Sequence, residues 1–313
     1  MLSRIADSLF WLSRYMERSD CQLRVIRTNY ILSFDTGLND EFSWKDVIGL
    51  FTHSSEEATL QHSRTVADAL SFLVADIKNL NSIRVLITKA RENARGVQDN
   101  ITKEVWEQVN QLYHIVNEPG LTKKITGSRA LDVIDLLNRS SIQFYGVTDS
   151  TMPRGQGWNF MNAGKFIERC LMTIDTAGAH FRKINAQSNT PLDILVWRNL
   201  LLSLSGYELY LKTYTRGQHN TSVIDHVIFN RDFPRSLAYS LQRVKVYLDK
   251  IAEDTKMEGS SALQRMFGRI YSKVEFTDMQ LIQEMTVPKF LQSLRNDLVE
   301  FSNQLTRIYF SYA

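Results

Sequence analysis

The sequence predicts an all-α fold: a multi-helix bundle of roughly ten to twelve helices stacked in layers, with an internal duplication. Three observations carry this expectation. Breakers are sparse, with 14 Gly and 5 Pro in 313 residues, which favours long helices over a many-turned β fold. Apolar residues recur three and four apart through most of the chain, and no segment sustains a period of two. One pattern is also written twice: "RYMERSD" (14–20) and "KFIERCL" (165–171) each run basic, aromatic, long aliphatic, Glu, Arg, with their glutamates 151 positions apart (168 − 17).

Taken in order, residues 2–32 read as one helix, with Leu2, Ile5, Leu9, Leu12, Met16 and Leu23 at helical spacing. "FDTGLND" (34–40) is a turn and 42–51 a short helix. Ser54 or Ser55 is placed to cap a helix running through Val66, Leu70, Leu73, Ile77 and Leu80. The next helix holds "RVLITKARENARGV" (84–97), with Ile83, Leu86, Ala90, Ala94 and Val97 on one side. Thr102 then reads as an N-cap with Glu104 in the first turn. That helix ends before Pro119 and Gly120, and another spans about 129–144.

"GVTDSTMPRGQGW" (146–158) is the most irregular stretch, either a linker or a functional loop. The helix carrying "KFIERCL" follows it. Thr190-Pro191 signals the start of a helix that runs to about Tyr214 and stops near Gly217. "NRDFPRS" (230–236) is a second boundary, with Asp232 as the cap and Pro234 in the first turn. Leu237, Leu241, Val244, Leu248 and Ile251 then form a bundle seam. Two or three more helices follow Gly259, the last from about Pro288. The domain expected is a single unit, 1–313, with pseudo-repeats at about 1–145 and 158–313.

Composition narrows the function classes. Apolar residues make up 43% and charged residues 23%, as in ordinary globular proteins. The net charge of +3 (37 − 34) and the lack of a basic block interleaved with aromatics argue against nucleic acid. Cys21 and Cys170 make no disulfide framework. Arg4 and Asp7 interrupt any secretory signal, and the most apolar span, 192–211, carries Asp193, Arg198 and Glu208. A cytoplasmic location without membrane association is the expectation.

On a helical wheel the first copy of the pattern shows large apolar groups on every side, so its helix is expected to be buried. Arg14, Glu17 and Arg18 then lie inside or between layers, where charge is costly unless paired. The second copy repeats the geometry with Lys165, Glu168 and Arg169. The expected arrangement has each copy supplying half of one shared ionic centre. Two roles fit such a centre. Interlocked Glu–Arg pairs can fix helix register, or arginine forks can hold a carboxylate or phosphate beside a glutamate acting as general base.

Two further sets bear on this choice. "ARENAR" (90–95) places Arg84, Arg91 and Arg95 on one stripe, with Glu92 and Asn93 beside it; a solvated face is the plainer reading. "SGYELYLKTY" (205–214) places Tyr207, Tyr210 and Tyr214 on one stripe next to Glu208; core tyrosines with satisfied hydroxyls are the plainer reading there. The six histidines include no i, i+4 pair of the zinc-helix kind, and no phosphate loop or nucleophile elbow is present. No metal or other cofactor is expected.

At this point "MLSRIADSLFWLSRYMERSD" resembles the opening of the bacterial alpha-E domain family, named for its helical content and conserved Glu–Arg motif. The likeness continues through 90–113, 151–170, 197–214 and 229–241, nearly the whole chain in order. Ser13-Arg14 and Gly164-Lys165 stand where the family shows Gly-Arg, and Cys170 where it shows a small Ala. Lysine lacks the bidentate fork, so two matched arginine clamps are not expected. The resemblance marks Arg14, Glu17, Arg18, Arg91, Glu92, Asn93, Arg95, Glu168, Arg169, Tyr207, Glu208, Asp232 and Arg235 as motif positions, with Tyr210 added by its stripe. It implies work alongside circularly permuted ATP-grasp ligases and transglutaminase-like proteins in making or attaching small peptides. The function expected is that of a helical accessory or binding protein of such a ligase. The alternatives are an enzyme using Glu17 or Glu168 with an arginine clamp, and a purely structural subunit.

Overall fold

The structure, a computed structural model, describes residues 1–34, 43–52, 55–184, 191–215 and 219–310. Residues 35–40 of the expected turn, Ser54, Thr190 and Gly217 lie outside these. Among the described residues there are sixteen α-helices and no strand, more helices than the ten to twelve expected. The surplus comes from short helices where the sequence suggests single long ones or turns. The chain packs as two compact units, Tyr15–Pro153 and Met1–Arg14 with Arg154–Ala313. The change of unit at 153/154 falls in the breaker-rich stretch, between a helix ending at Thr151 and one starting at Gln156.

The N-terminal unit takes residues 15–32 of α1 (Ser3–Leu32), then α2 (Trp44–Phe51), α3 (Glu56–His62), α4 (Val66–Leu70), α5 (Ile83–Gly96), α6 (Lys103–Val116), α7 (Leu121–Ile125) and α8 (Ala130–Thr151). Ser55 caps α3 by accepting from the Ala58 N–H, but the helix does not run on as expected. Thr65 caps afresh by accepting from Asp68 N–H at 3.1 Å, and α4 ends in a π turn over Ser71–Ala75. Ile77 and Leu80, expected on a buried stripe, are exposed beyond that turn. Thr102 caps α6 as expected, accepting from the Val105 N–H. Helices α5, α6 and α8 pack together, α5 burying Ile83, Leu86, Ile87, Ala90 and Ala94.

The C-terminal unit comprises residues 1–14 with α9 (Gln156–Phe181), α10 (Pro191–Ser203), α11 (Tyr207–Thr213), α12 (His219–Ile228), α13 (Leu237–Thr255), α14 (Ser260–Glu275), α15 (Met279–Met285) and α16 (Val287–Tyr309). The helix expected to reach Tyr214 breaks at 204–206. Ser205 turns left-handed at φ 56, and Gly206 N–H reaches back to the Leu201 carbonyl at 2.7 Å, closing the helix end. Gly206 is required there, since a Cβ would sit 2.6 Å from the Phe233 ring. The cap of α13 is Ser236, whose hydroxyl accepts from Tyr239 N–H at 3.0 Å, and not Asp232. Asp232 is exposed, and its N–H and that of Phe233 turn on the Asn230 side chain. The seam of α13 is fully buried, and α9 packs against α13 and α16.

The first turns of α1 seat Ala6 and Phe10 in the core of this unit, Phe10 against Phe310 with centroids 5.2 Å apart. The approach to α9 is close enough that a Cβ on Gly164 would lie 2.5 Å from the Phe10 carbonyl oxygen. Gly164→Ala is therefore expected to cost about 1–3 kcal/mol through backbone displacement. Gly146→Ala, in open space on an exposed face of α8, is expected to be neutral or to stabilise by up to about 1 kcal/mol. Urea unfolding of both variants checks the pair; equal midpoints would show that the contact at Gly164 is slack.

Candidate functional site

The motif charges divide between the units. Arg14, Glu168, Arg169, Tyr207, Glu208, Tyr210, Asp232 and Arg235 belong to the C-terminal unit; Glu17, Arg18, Arg91, Glu92, Asn93 and Arg95 belong to the N-terminal one.

In the C-terminal unit the arginine of the first copy meets the glutamate of the second. Arg14 Nε donates to Glu168 Oε2 at 2.8 Å, and its Nη1 donates to Ser302 Oγ of α16 at 2.8 Å. The guanidinium also lies over the Trp11 ring at 4.5 Å. Glu168 is 0% exposed and Arg14 6%. A buried carboxylate is tolerated only with such pairing. Arg169, next along α9, does a different job: it donates to the Pro234 carbonyl at 3.2 Å and stacks on Phe166. Thr173 Oγ1 donates to the carbonyl of the buried Arg235 at 3.1 Å. Together these contacts tie α9 to the boundary before α13.

In the N-terminal unit Glu17, fully buried, accepts from the Tyr145 hydroxyl of α8 at 2.7 Å and lies 3.5 Å from the Cys21 thiol. Arg18 Nη1 donates to Asn81 Oδ1 at 3.2 Å. Glu17, Asp20 and Cys21 bring ligand-type atoms within 4.8 Å of one another. Arg24 donates to both oxygens of Asp20, at 3.0 and 3.2 Å, and so supplies positive charge there from the same helix.

The "ARENAR" stripe is sorted by burial. Glu92 and Arg95 are exposed, and Asn93 turns its amide back onto the Lys89 carbonyl at 2.9 Å. Arg91 is half-buried. Its Nε donates to Asn110 Oδ1 at 2.7 Å, and its guanidinium lies 4.3 Å from the Tyr113 centroid and 5.5 Å from that of Trp106. Asn110 Nδ2 in turn lies 3.3 Å from His114 Nε2. Arg84 donates through Nε to the Val116 carbonyl at 2.7 Å.

Of the tyrosine stripe, Glu208 is exposed, Tyr207 packs on the core and Tyr210 is buried. Tyr210 joins a cluster in which sequence spacing flagged only Tyr214 besides itself. Tyr214 donates to Asp225 Oδ2 at 2.5 Å, and Tyr210 OH lies 3.2 Å from His219 Nδ1. Both rings meet His226 edge-on, and His226 stacks on Phe233 at 4.5 Å. Asn230 Nδ2 lies 3.2 Å from His226 Nδ1, which leaves the proton of the neutral ring on Nε2. Burial raises the tyrosine pKa values, with Asp225 adding to the rise at Tyr214. Burial also lowers His226 to about 4, against a smaller upward pull from the Gly206 backbone and Asp225. No ligand-type spacing marks His226 in the sequence, and its partners are aromatic rings and one amide.

The chain belongs to the Alpha-E family, described as a predicted alpha-helical domain with a conserved ER motif, which matches residues 1–310. It is similar to uncharacterised proteins of Mycobacterium bovis and of two Mycobacterium tuberculosis strains, each 21% identical over 95% of this chain. The chain spans about a third, 34%, of the length of these relatives. No solved structure matches it. No helix among the described residues is long and apolar enough to cross a membrane.

Arg14→Ala is expected to cost about 3–5 kcal/mol, because it strands a buried carboxylate. The double change Arg14→Met with Glu168→Leu is expected to recover most of that loss. Chemical denaturation of the two variants decides the matter, and a double variant no better than Arg14→Ala would mean that the pair is not the source of the cost.

His226 supplies a pH dependence whose sign is fixed. Its folded value of about 4 lies below the ordinary 6.5, so between these the unfolded chain binds the extra proton. Its contribution is complete above about 6.5 and is lost as pH falls towards 4. Melting temperatures from pH 7.5 to 4 should therefore fall more steeply in the wild type than in His226→Phe. Parallel curves would remove His226 as the cause.

Proposed function

We propose that the chain is a helical accessory module of an amide- or peptide-forming ligase of the ATP-grasp class, binding the ligase and holding an anionic peptide or metabolite of its reaction. A transglutaminase-like protein is a further partner on the same reading. The observation that carries it is the length of the relatives. A domain that fills 95% of this chain occupies 34% of theirs, so the same helical body there shares a polypeptide with a much larger segment. A domain that shares a polypeptide with another segment in its relatives is suited to work beside another protein. The local chemistry agrees: Glu168 is bonded to Arg14 and Glu17 to Tyr145, both fully buried. That engagement inside the protein weighs against the alternative in which either glutamate acts as acid or base.

The test is reconstitution. The purified chain and an ATP-grasp ligase from the same host should co-elute on size exclusion at about 10 µM, as a complex of micromolar affinity would. ADP release by the ligase should change when the chain is added. Separate elution with unaltered turnover would overturn the reading.

A further inference from the structure

We propose that Arg91 is the centre of a binding site for the carboxylates of an acidic peptide, laid along the outer face of α5 in the N-terminal unit. Arg91 differs from Arg14 in what its guanidinium has left to give. Its Nε is taken by Asn110 Oδ1, and its flat face rests on Tyr113 and towards Trp106. Its two terminal nitrogens meet no acceptor, and it forms no ion pair, among the described residues. The rotamer is thus fixed by one hydrogen bond and two rings, while the planar edge that matches both oxygens of a carboxylate stays open.

This arrangement lowers the entropy cost of binding, because the long side chain is already ordered. The half-buried setting also strengthens a charge-assisted bond relative to one in open water. Asn110 is itself oriented by His114, which adds a second layer of support.

The neighbours extend the site. Arg95 lies one turn further along α5, exposed and without a protein partner among the described residues. Arg84, two turns before Arg91, uses its Nε on a carbonyl and forms no ion pair among the described residues. At 1.5 Å per residue the three guanidiniums are rooted over about 16 Å, the span of five or six residues of extended peptide. Glu92 is the one acidic residue within α5, so the face carries surplus positive charge. An organic acid suits the flanking rings better than a compact inorganic ion does. The ligand's origin rests on the binding-module reading, but the site itself is assayed on this chain alone.

The experiment is isothermal titration of the full chain with acetyl-hexaglutamate amide at about 150 mM salt, where long-range attraction is screened. Hexaglutamine amide and inorganic phosphate are the comparison probes. Saturable binding of hexaglutamate is expected, with weaker phosphate binding and none by hexaglutamine. Arg91→Ala and Arg91→Lys should each weaken it roughly tenfold or more, since both remove the fork. Arg95→Ala should weaken it less. Arg269→Ala, an exposed arginine of α14, should leave it unchanged. Asn110→Ala should also weaken binding while keeping every positive charge, a result that general electrostatic attraction does not give. Wild-type affinity in Arg91→Lys, an equal loss in Arg269→Ala, tighter binding of phosphate, or no saturable heat would each overturn the site. None of these arms contains a ligase, so loss of the site and loss of the ligase complex are separate results.

Discussion

One buried carboxylate sets the terms for the C-terminal unit. Glu168 has no exposure, and an ionised group in that position costs several kcal/mol unless a cation and hydrogen bonds replace water. The replacement comes from Arg14, 154 positions away in sequence. For that guanidinium to arrive, the first turns of α1 must lie against α9, which Gly164 allows by having no Cβ. The same guanidinium reaches Ser302, so α16 is held by the requirement as well. Apolar burial supplies most of the favourable free energy, but it is non-directional. The ion pair adds direction, because only one seating of the three helices satisfies it.

The N-terminal unit applies the rule with other partners. Glu17 accepts from Tyr145 of α8, and Asp20 is met by Arg24 within α1. Gln22 and Asn79 donate to the carbonyls of Leu73 and Phe72 around the π turn. That turn widens the helix and leaves Asp76 in extended backbone. The side-chain donors reach carbonyls that would otherwise be short of partners there.

Much of this was legible in the sequence. The first helix, the Thr102 cap and the seam from Leu237 to Ile251 follow from periodicity and capping chemistry alone. The breaks near Ser63 and Ser205 did not, and at 230–236 the boundary was legible but its capping residue was not. At Ser205-Gly206 the apolar spacing continues across the left-handed turn that ends the helix, and what requires glycine there is the approach of Phe233 from 27 positions away (233 − 206). At the start of α13 three residues suited to capping lie close together, Asn230, Asp232 and Ser236. Asn230 is used for the turn and Ser236 for the helix. The spacing of the motif charges was readable; their partners Ser302, Asn81, Asn110 and Tyr145 were not, because only tertiary packing brings them within reach. His226 is unusual through its buried environment, not through its spacing.

Arginine therefore plays two opposite parts in one chain. Arg14 gives hydrogen bonds to a carboxylate and a hydroxyl from a buried position, and its charge is cancelled inside the protein. Arg91 is held as firmly, but by an amide and aromatic faces that leave its charge in place. A cation–π contact can hold a guanidinium without neutralising it, whereas an ion pair does both at once. The Glu–Arg letters that name the family follow this division: Glu168 and Glu17 serve the internal balance of charge, and Arg169 and Arg18 are bonded to a carbonyl and an amide. Charge left over for a partner must then be sought outside those letters. The face of α5 meets that condition, since its arginines are rigid or exposed and meet no carboxylate among the described residues.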